Sequence, residues 1–236
     1  MADPTLSDSL LARLRAIDTP SVCNAIEVVH GRRGFAGFTR ATVVASDPAA
    51  PAMVGRARTA RIAGREPPTE APEVIRARRM DYFRSMAAGP APSVAVIEDV
   101  DYPDCLGAWW GEVHTAVHRG LGLRGALTNG VMRDLGDLAP DFPVIAGSVG
   151  PSHGFVHVRE IGTPVDVFGL TVAQGDLVHA DRHGAVVVPP DVLPELEGAI
   201  ERMFAAERVV LEPARREGFD IAALEEAWAA FERARV

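Results

Sequence analysis

Apolar residues recur along this chain with several different periods, and each period predicts an element. Leu10, Leu11, Leu14 and Ile17 fall on one side of a first helix, and Thr19-Pro20 reads as the cap and first-turn proline of a second. Residues 94–100 form a short apolar run that ends in acids, the pattern of a buried strand reaching a sheet edge. A turn-rich passage, Asp101 to Gly107, follows. From about Trp110 to Leu121, Val113, Ala116, Val117, Gly120 and Leu121 return at helical spacing, predicting a helix buried on that face and stopped by Gly122. Residues 124–129 then predict a second short strand, with Gly130 as its turn. Residues 143–188 carry short β signals, and Asp181-Arg-His-Gly184 predicts a tight turn between two strands. After Pro190 the pattern is helical, with Ile221, Leu224, Trp228 and Phe231 on one face. The Pro- and Gly-rich stretch 64–72 is the best candidate for a mobile loop.

A strand-helix-strand unit has a geometric consequence. Its helix runs antiparallel to its strands, so the helix start and the end of the following strand share one edge. Gly111-Glu112 and Arg133-Asp134 can therefore meet at one rim, where open α/β sheets commonly bind ligands. The free N–H groups of Gly111, Glu112, Val113 and His114 suit a carboxylate or phosphate oxygen, and Gly111 permits close approach to the backbone. Arg133 offers a fixed cationic fork for a carboxylate or a developing enolate oxygen. Asp134 and Glu112 are hard oxygen ligands of the kind that hold Mg²⁺ or Mn²⁺ with water and substrate. The competing reading is a surface ion pair, Arg133-Asp134, beside a helix cap.

The run Gly111-Glu112-Val113-His114, then Gly125 and Asn129-Gly130-Val131-Met132-Arg133-Asp134, resembles the signature of the RraA-like family. The family includes aldolases acting on 4-hydroxy-4-methyl-2-oxoglutarate and 4-carboxy-4-hydroxy-2-oxoadipate, oxaloacetate decarboxylases, and the regulator of ribonuclease activity that names it. Val54-Gly55-Arg56-Ala57-Arg58-Thr59, Thr19 to Ala25, Gly175 to Val178, Asp181 and Gly184 to Pro189 extend the likeness over most of the chain. The spacing of Glu112, Arg133-Asp134 and Asp137 is similar to that of the metal-dependent enzymes, whereas the regulator has glycine where Glu112 stands. Two positions depart from the pattern: Asn129 replaces an acid and so removes a charge near the expected metal, and Gln174 replaces a proline.

The resemblance implies a swivelling β/β/α-type single α/β domain over residues 1–236. Its parts would be N-terminal helices at 5–30, a core at about 40–190 and C-terminal helices at 191–236. It implies a divalent-metal lyase that cleaves a carbon-carbon bond in a 2-oxo acid through a pyruvate enolate. Arg133 and Glu112 would be catalytic, and Gly111, Glu112, Val113, His114 and Arg133 would bind substrate. Asp134, with Glu112 through water, would hold Mg²⁺ or Mn²⁺. A homotrimer or homohexamer with sites at subunit boundaries is implied as well. The alternative is a non-catalytic regulator that binds and inhibits a ribonuclease or another protein.

Composition narrows the chemistry. The chain contains no lysine, its 24 basic residues all being arginine, so an aldolase working through a lysine imine is excluded. A net charge of −8 argues against a nucleic-acid partner. Arg76, Arg78 and Arg79 read as a solvated helix face. No signal-like N-terminus and no long apolar span are evident, which suits a cytoplasmic protein that spans no membrane. Cys23 and Cys105 make no disulfide framework, and Cys23 reads as a core side chain.

Gly120-Leu-Gly122-Leu-Arg-Gly125 matches a dinucleotide fingerprint but leaves a helix and enters a strand, the reverse of the required context. His153 and His157, four apart, would project from one face of a strand, and are further candidates for metal or carboxylate binding together with Asp137 and Asn129. Trp109 and Trp110 could wall a pocket or fill a core or subunit interface.

Overall fold

The computed structural model describes residues 6–234. The chain opens with helices α1 (Asp8–Arg15) and α2 (Thr19–His30). The cap of α2 is Asp18 rather than Thr19: its carboxylate accepts a hydrogen bond from Ser21 N at 2.9 Å, and Pro20 lies in the first turn, where no N–H is required. Residues Met1–Thr5, on which the absence of a leader was judged, lie outside the described residues.

Next come β1 (Val44–Ala45), β2 (Met53–Ala63), helix α3 (Pro72–Ala87), β3 (Ser93–Asp99), β4 (Ala108–Trp110), α4 (Glu112–Gly120), β5 (Leu123–Thr128) and β6 (Val131–Met132). They are followed by β7 (Val144–Ala146), β8 (Ser148–Val149), β9 (His157–Ile161), β10 (Val165–Val167), β11 (Leu170–Val172), β12 (Leu177–Asp181) and β13 (Gly184–Val188). Helices α5 (Leu193–Ala214) and α6 (Ile221–Ala234) end the described chain.

One eight-stranded sheet runs β1-β7-β5-β3-β2-β12-β13, with β9 also paired to β2. Its middle, β2-β3-β5-β7, is parallel, and the flanking pairs are antiparallel. The apolar run 94–97 is continuous because both of its faces are covered. Ala95 and Ile97 pack with Tyr82, Met86, Trp109 and Trp110, while Val94 and Val96 pack with Leu127, Ile145, Val165 and Val167. A separate cluster joins the N- and C-terminal helices to Val54, Val186 and Val188. The 181–184 turn is as expected, with Asp181 paired to Gly184 in a two-residue hairpin. The 64–72 segment is a loop tied near both ends. Gly64 N and Arg65 N donate to Asp101, and Glu70 pairs with Arg78 at 2.9 Å.

Two findings correct the sequence-based picture around α4. First, residues 108–110 and 131–132 form short strands of a second, three-stranded parallel sheet, β4-β6-β8, which periodicity over so few residues does not announce. Second, the face of α4 expected to be buried is the open one. Val113 is 66% exposed and Val117 38%, whereas Thr115 and His118 are fully buried. The buried polar residues are hydrogen-bonded: Thr115 Oγ1 donates to the Gly111 carbonyl at 3.0 Å, and His118 joins Tyr82 Oη to the His114 carbonyl, both at 2.6 Å.

Candidate functional site

Strands β4 and β6 bring the two halves of the site together. They pair in parallel, Ala108 with Val131 and Trp110 with Met132, so the residues that follow each strand emerge side by side. Arg133 N donates to the Trp110 carbonyl at 2.8 Å and locks the register. Gly111 then caps α4, and Asp134 turns back toward it with a left-handed φ of +56°. A non-glycine residue in that region is uncommon, although aspartate tolerates it better than most.

The Asp134 carboxylate is the centre of the arrangement. Its Oδ2 accepts from Glu112 N at 3.1 Å and lies 3.6 Å from Arg133 Nε. The helix cap and the ion pair of the competing reading are therefore both present. They use one carboxylate oxygen and one N–H, leaving the Val113 and His114 N–H groups with no acceptor among the described residues. Gly111 has an extended backbone, φ −154°, that any residue could adopt. It must be glycine for space: a Cβ there would lie 2.5 Å from Asp134 Oδ2 and 3.2 Å from Arg133 Nε.

Beside this corner opens a cavity of about 410 Å³, lined by Gly111, Val113, His114 and Arg133 on one side. Arg79, Trp109, His153 and His157 line it elsewhere, and none of its lining residues is an acid. Arg79 is exposed, as expected of a solvated helix face, and it also lines the cavity, which the sequence reading did not anticipate. Its neighbours are engaged elsewhere, Arg78 with Glu70 and the Val158 carbonyl and Arg76 with Glu73 at 3.7 Å, while Arg79 shares the cavity wall with Ile75, one helical turn away. The i, i+4 pairing of Ile75 and Arg79 was the available signal.

His114 sits in this cationic surrounding, its ring 4.2 Å from that of Trp109 in edge contact. Burial, with Arg79 and Arg133 adding to it, lowers its pKa to about 4, so the imidazole is neutral at pH 7. Burial lowers His118 to about 3. Of the tryptophans, Trp109 both walls the cavity and packs into the core, and Trp110 is core alone.

The remaining candidates divide. His153 lies in a turn rather than on a strand, and only His157 belongs to β9, yet both reach the same cavity. Each donates its Nδ1–H to a backbone carbonyl, His153 to Gly154 at 2.7 Å and His157 to Phe155 at 2.8 Å. Asp137 is exposed and contributes a backbone turn, its N–H donating to the Asp134 carbonyl at 3.0 Å. Asn129 is not a site residue missing a charge. It is buried, with Oδ1 accepting from Asp99 N at 2.7 Å and Nδ2 donating to the Asp99 carbonyl at 3.2 Å. A carboxylate could not make the second bond. It would also face Asp99, whose own carboxyl is held above the usual range by burial. Gln174 likewise has structural work, accepting from Thr59 N at 2.7 Å and Thr59 Oγ1 at 3.0 Å.

Glu112 and Asp134 are the carboxylates at this corner. Among the described residues no three His, Cys, Asp or Glu side chains converge as a closed metal cage. Asp134 retains an uncommitted oxygen, and the exposed Glu112 stands on the neighbouring backbone. One or two carboxylates completed by water and substrate is how Mg²⁺ is commonly bound.

A mixed α/β domain with a curled sheet, terminal helices and a cationic cavity at its strand ends defines the class of protein. The chain belongs to the RraA-like family, whose model, described as Aldolase/RraA, matches residues 19–187. That family contains aldolases and decarboxylases as well as ribonuclease regulators. An uncharacterised protein of Methanocaldococcus jannaschii, MJ0644, is 33% identical over 112 residues, 43% of this chain and 54% of that one. The chain thus spans about half the length of that relative. Among solved structures, an uncharacterised protein of Pseudomonas syringae pv. tomato superposes with a TM-score of 0.69 at 23% identity, covering 97% of both chains. Streptomyces coelicolor RraAS2, described as an unusual member of the RNase ES inhibitor RraA protein family, gives 0.63 at 20% identity over 89% of this chain and 98% of its own. These structures share the fold.

Proposed function

We propose that this protein is a divalent-metal-dependent lyase that cleaves a carbon-carbon bond in a 2-oxo acid. The reaction would be aldol cleavage of a 4-hydroxy-4-methyl-2-oxoglutarate type substrate, decarboxylation of oxaloacetate, or both. The observation that carries this reading is the meeting of Gly111-Glu112 with Arg133-Asp134 beside a cavity that Gly111, Arg79 and Arg133 line, Glu112 and Asp134 not being among its lining residues. The Val113 and His114 amides at the start of α4 receive the substrate carboxylate. Arg133 sits where negative charge develops on the C2 oxygen as the enolate forms, and a preorganised donor there stabilises the transition state. Arg79 holds a second carboxylate, and Trp109 closes the wall against water. Asp134, with Glu112 through water, would hold Mg²⁺ or Mn²⁺, and that ion would supply Lewis-acid stabilisation of negative charge.

The open apolar face of α4, Val113, Ala116 and Val117, supports assembly into a trimer or a pair of trimers, with this face against a neighbouring subunit. Among the described residues no helix is long and apolar enough to cross a membrane.

The test is pyruvate release from a panel of 2-oxo acids with Mg²⁺, with and without a chelator, using wild type and Asp134→Ala. Metal-dependent release that the substitution abolishes supports the lyase. Inertness of both proteins toward every substrate, together with tight binding of a ribonuclease, would establish the regulator instead.

A further inference from the structure

The lyase reading leaves one proton unassigned. Aldol cleavage begins with removal of a proton from the C4 hydroxyl, and a general base must lie within hydrogen-bond reach of it. Among the side chains that line the cavity, the groups able to accept that proton are its three imidazoles, His114, His153 and His157.

Their surroundings separate them. The ring of His157 is buried and committed at both nitrogens, with Nδ1 to the Phe155 carbonyl and Nε2 3.5 Å from the Arg159 guanidinium. The Nδ1 of His114 is enclosed without a partner, and its ring is packed among those of Phe83, Trp109 and His118. His153 differs from both. It is exposed, its Nδ1–H is spent on the Gly154 carbonyl, and that bond fixes the tautomer so that Nε2 carries the lone pair with no partner among the described residues. His153 lines the same cavity as Arg133 and the start of α4, so one bound substrate can meet all three.

Resting on the lyase reading above, we propose that His153 is the general base of aldol cleavage in this protein, with a 4-hydroxy-2-oxo acid as the substrate class. The hydroxyl proton passes to His153 Nε2, and the O–H electron pair becomes the new C4 carbonyl. The C3–C4 bond breaks, its pair forms the C2–C3 double bond, and the C2 oxygen takes the charge beside Arg133. Water then protonates the enolate at C3, and His153 returns its proton to solvent. Decarboxylation of oxaloacetate forms the same enolate but has no hydroxyl to deprotonate. The two reactions therefore make different demands on His153.

The experiment compares kcat/KM for cleavage of 4-hydroxy-4-methyl-2-oxoglutarate with kcat/KM for oxaloacetate decarboxylation, in wild type, His153→Asn and His153→Ala. The ratio of cleavage to decarboxylation falls about 100-fold in both variants, the scale of losing a general base. Free imidazole restores the cleavage rate of His153→Ala. A ratio that stays within about threefold of wild type, well below the effect of a lost base, overturns the assignment. A wild-type protein that only decarboxylates also overturns it while leaving the lyase reading intact. Wild-type inertness toward both compounds removes the lyase reading and the assignment with it.

Discussion

The Asp134 carboxylate fills the space that a side chain at Gly111 would need, and from there it accepts a hydrogen bond from Glu112 N at 3.1 Å. Twenty-three positions apart in the chain, the two residues are in contact because β4 and β6 pair immediately before them. Glycine, helix cap and carboxylate form one mechanical unit.

Gly111→Ala tests that unit. The added methyl displaces Asp134 and Arg133, and misplacing a binding group by about 1 Å can cost about 100-fold in rate. The expected result is a kcat/KM for pyruvate release lower by about that factor, with unchanged far-ultraviolet circular dichroism because the backbone at 111 suits any residue.

Arg79→Gln removes the second arginine from the cavity wall. Loss of a hydrogen bond to a charged group costs about 1.5–3 kcal/mol. For a dicarboxylate substrate this predicts a KM higher by at least about tenfold, measured in steady-state assays against wild type.

Stability falls on mild acidification. The folded-state pKa values of His114, about 4, and His118, about 3, lie below the ordinary 6.5. Below about pH 6.5 the unfolded chain therefore binds more protons than the folded one. The stabilisation that comes from keeping these rings neutral is complete above that pH and is lost progressively as pH falls toward 4 and 3. Urea midpoints measured between pH 7.5 and 4.5 should decrease monotonically, and less steeply in His118→Gln.

Val117→Glu places a charge on the open apolar face of α4. If that face covers a neighbouring copy, light scattering should show wild type as an oligomer and the variant shifted toward monomer. A wild-type protein that is monomeric at micromolar concentration would rule out this use of the face.

Much of the architecture was legible in the sequence because it rests on local repetition. The buried strand at 94–97, the helix after Gly111, the 181–184 hairpin and the helical C-terminus each repeat a pattern over enough residues to be read. The pairing of Glu112 with Arg133-Asp134 at one rim was also foreseen, since strand-helix-strand connectivity allows few alternatives. Three things were not legible. Strands of three and two residues carry no period. The face of α4 was read inverted, because apolar residues were assigned to the interior while buried hydrogen bonds place Thr115 and His118 there. Asn129 was read as a missing charge, because its partner is the backbone of Asp99, 30 positions away.

The sequence by itself determined the class of fold, the absence of a lysine imine and the residues that meet around Arg133 and Asp134. Those follow from periodicity, composition and connectivity, which are properties of the chain. Only the tertiary structure decided that Gly111 is glycine for the sake of Asp134, that Arg79 faces the cavity, and that His153 has an unpartnered ring nitrogen where His157 does not. Each of these depends on which groups from distant segments compete for the same space, hydrogen bond or field, and that competition exists only after the chain has packed.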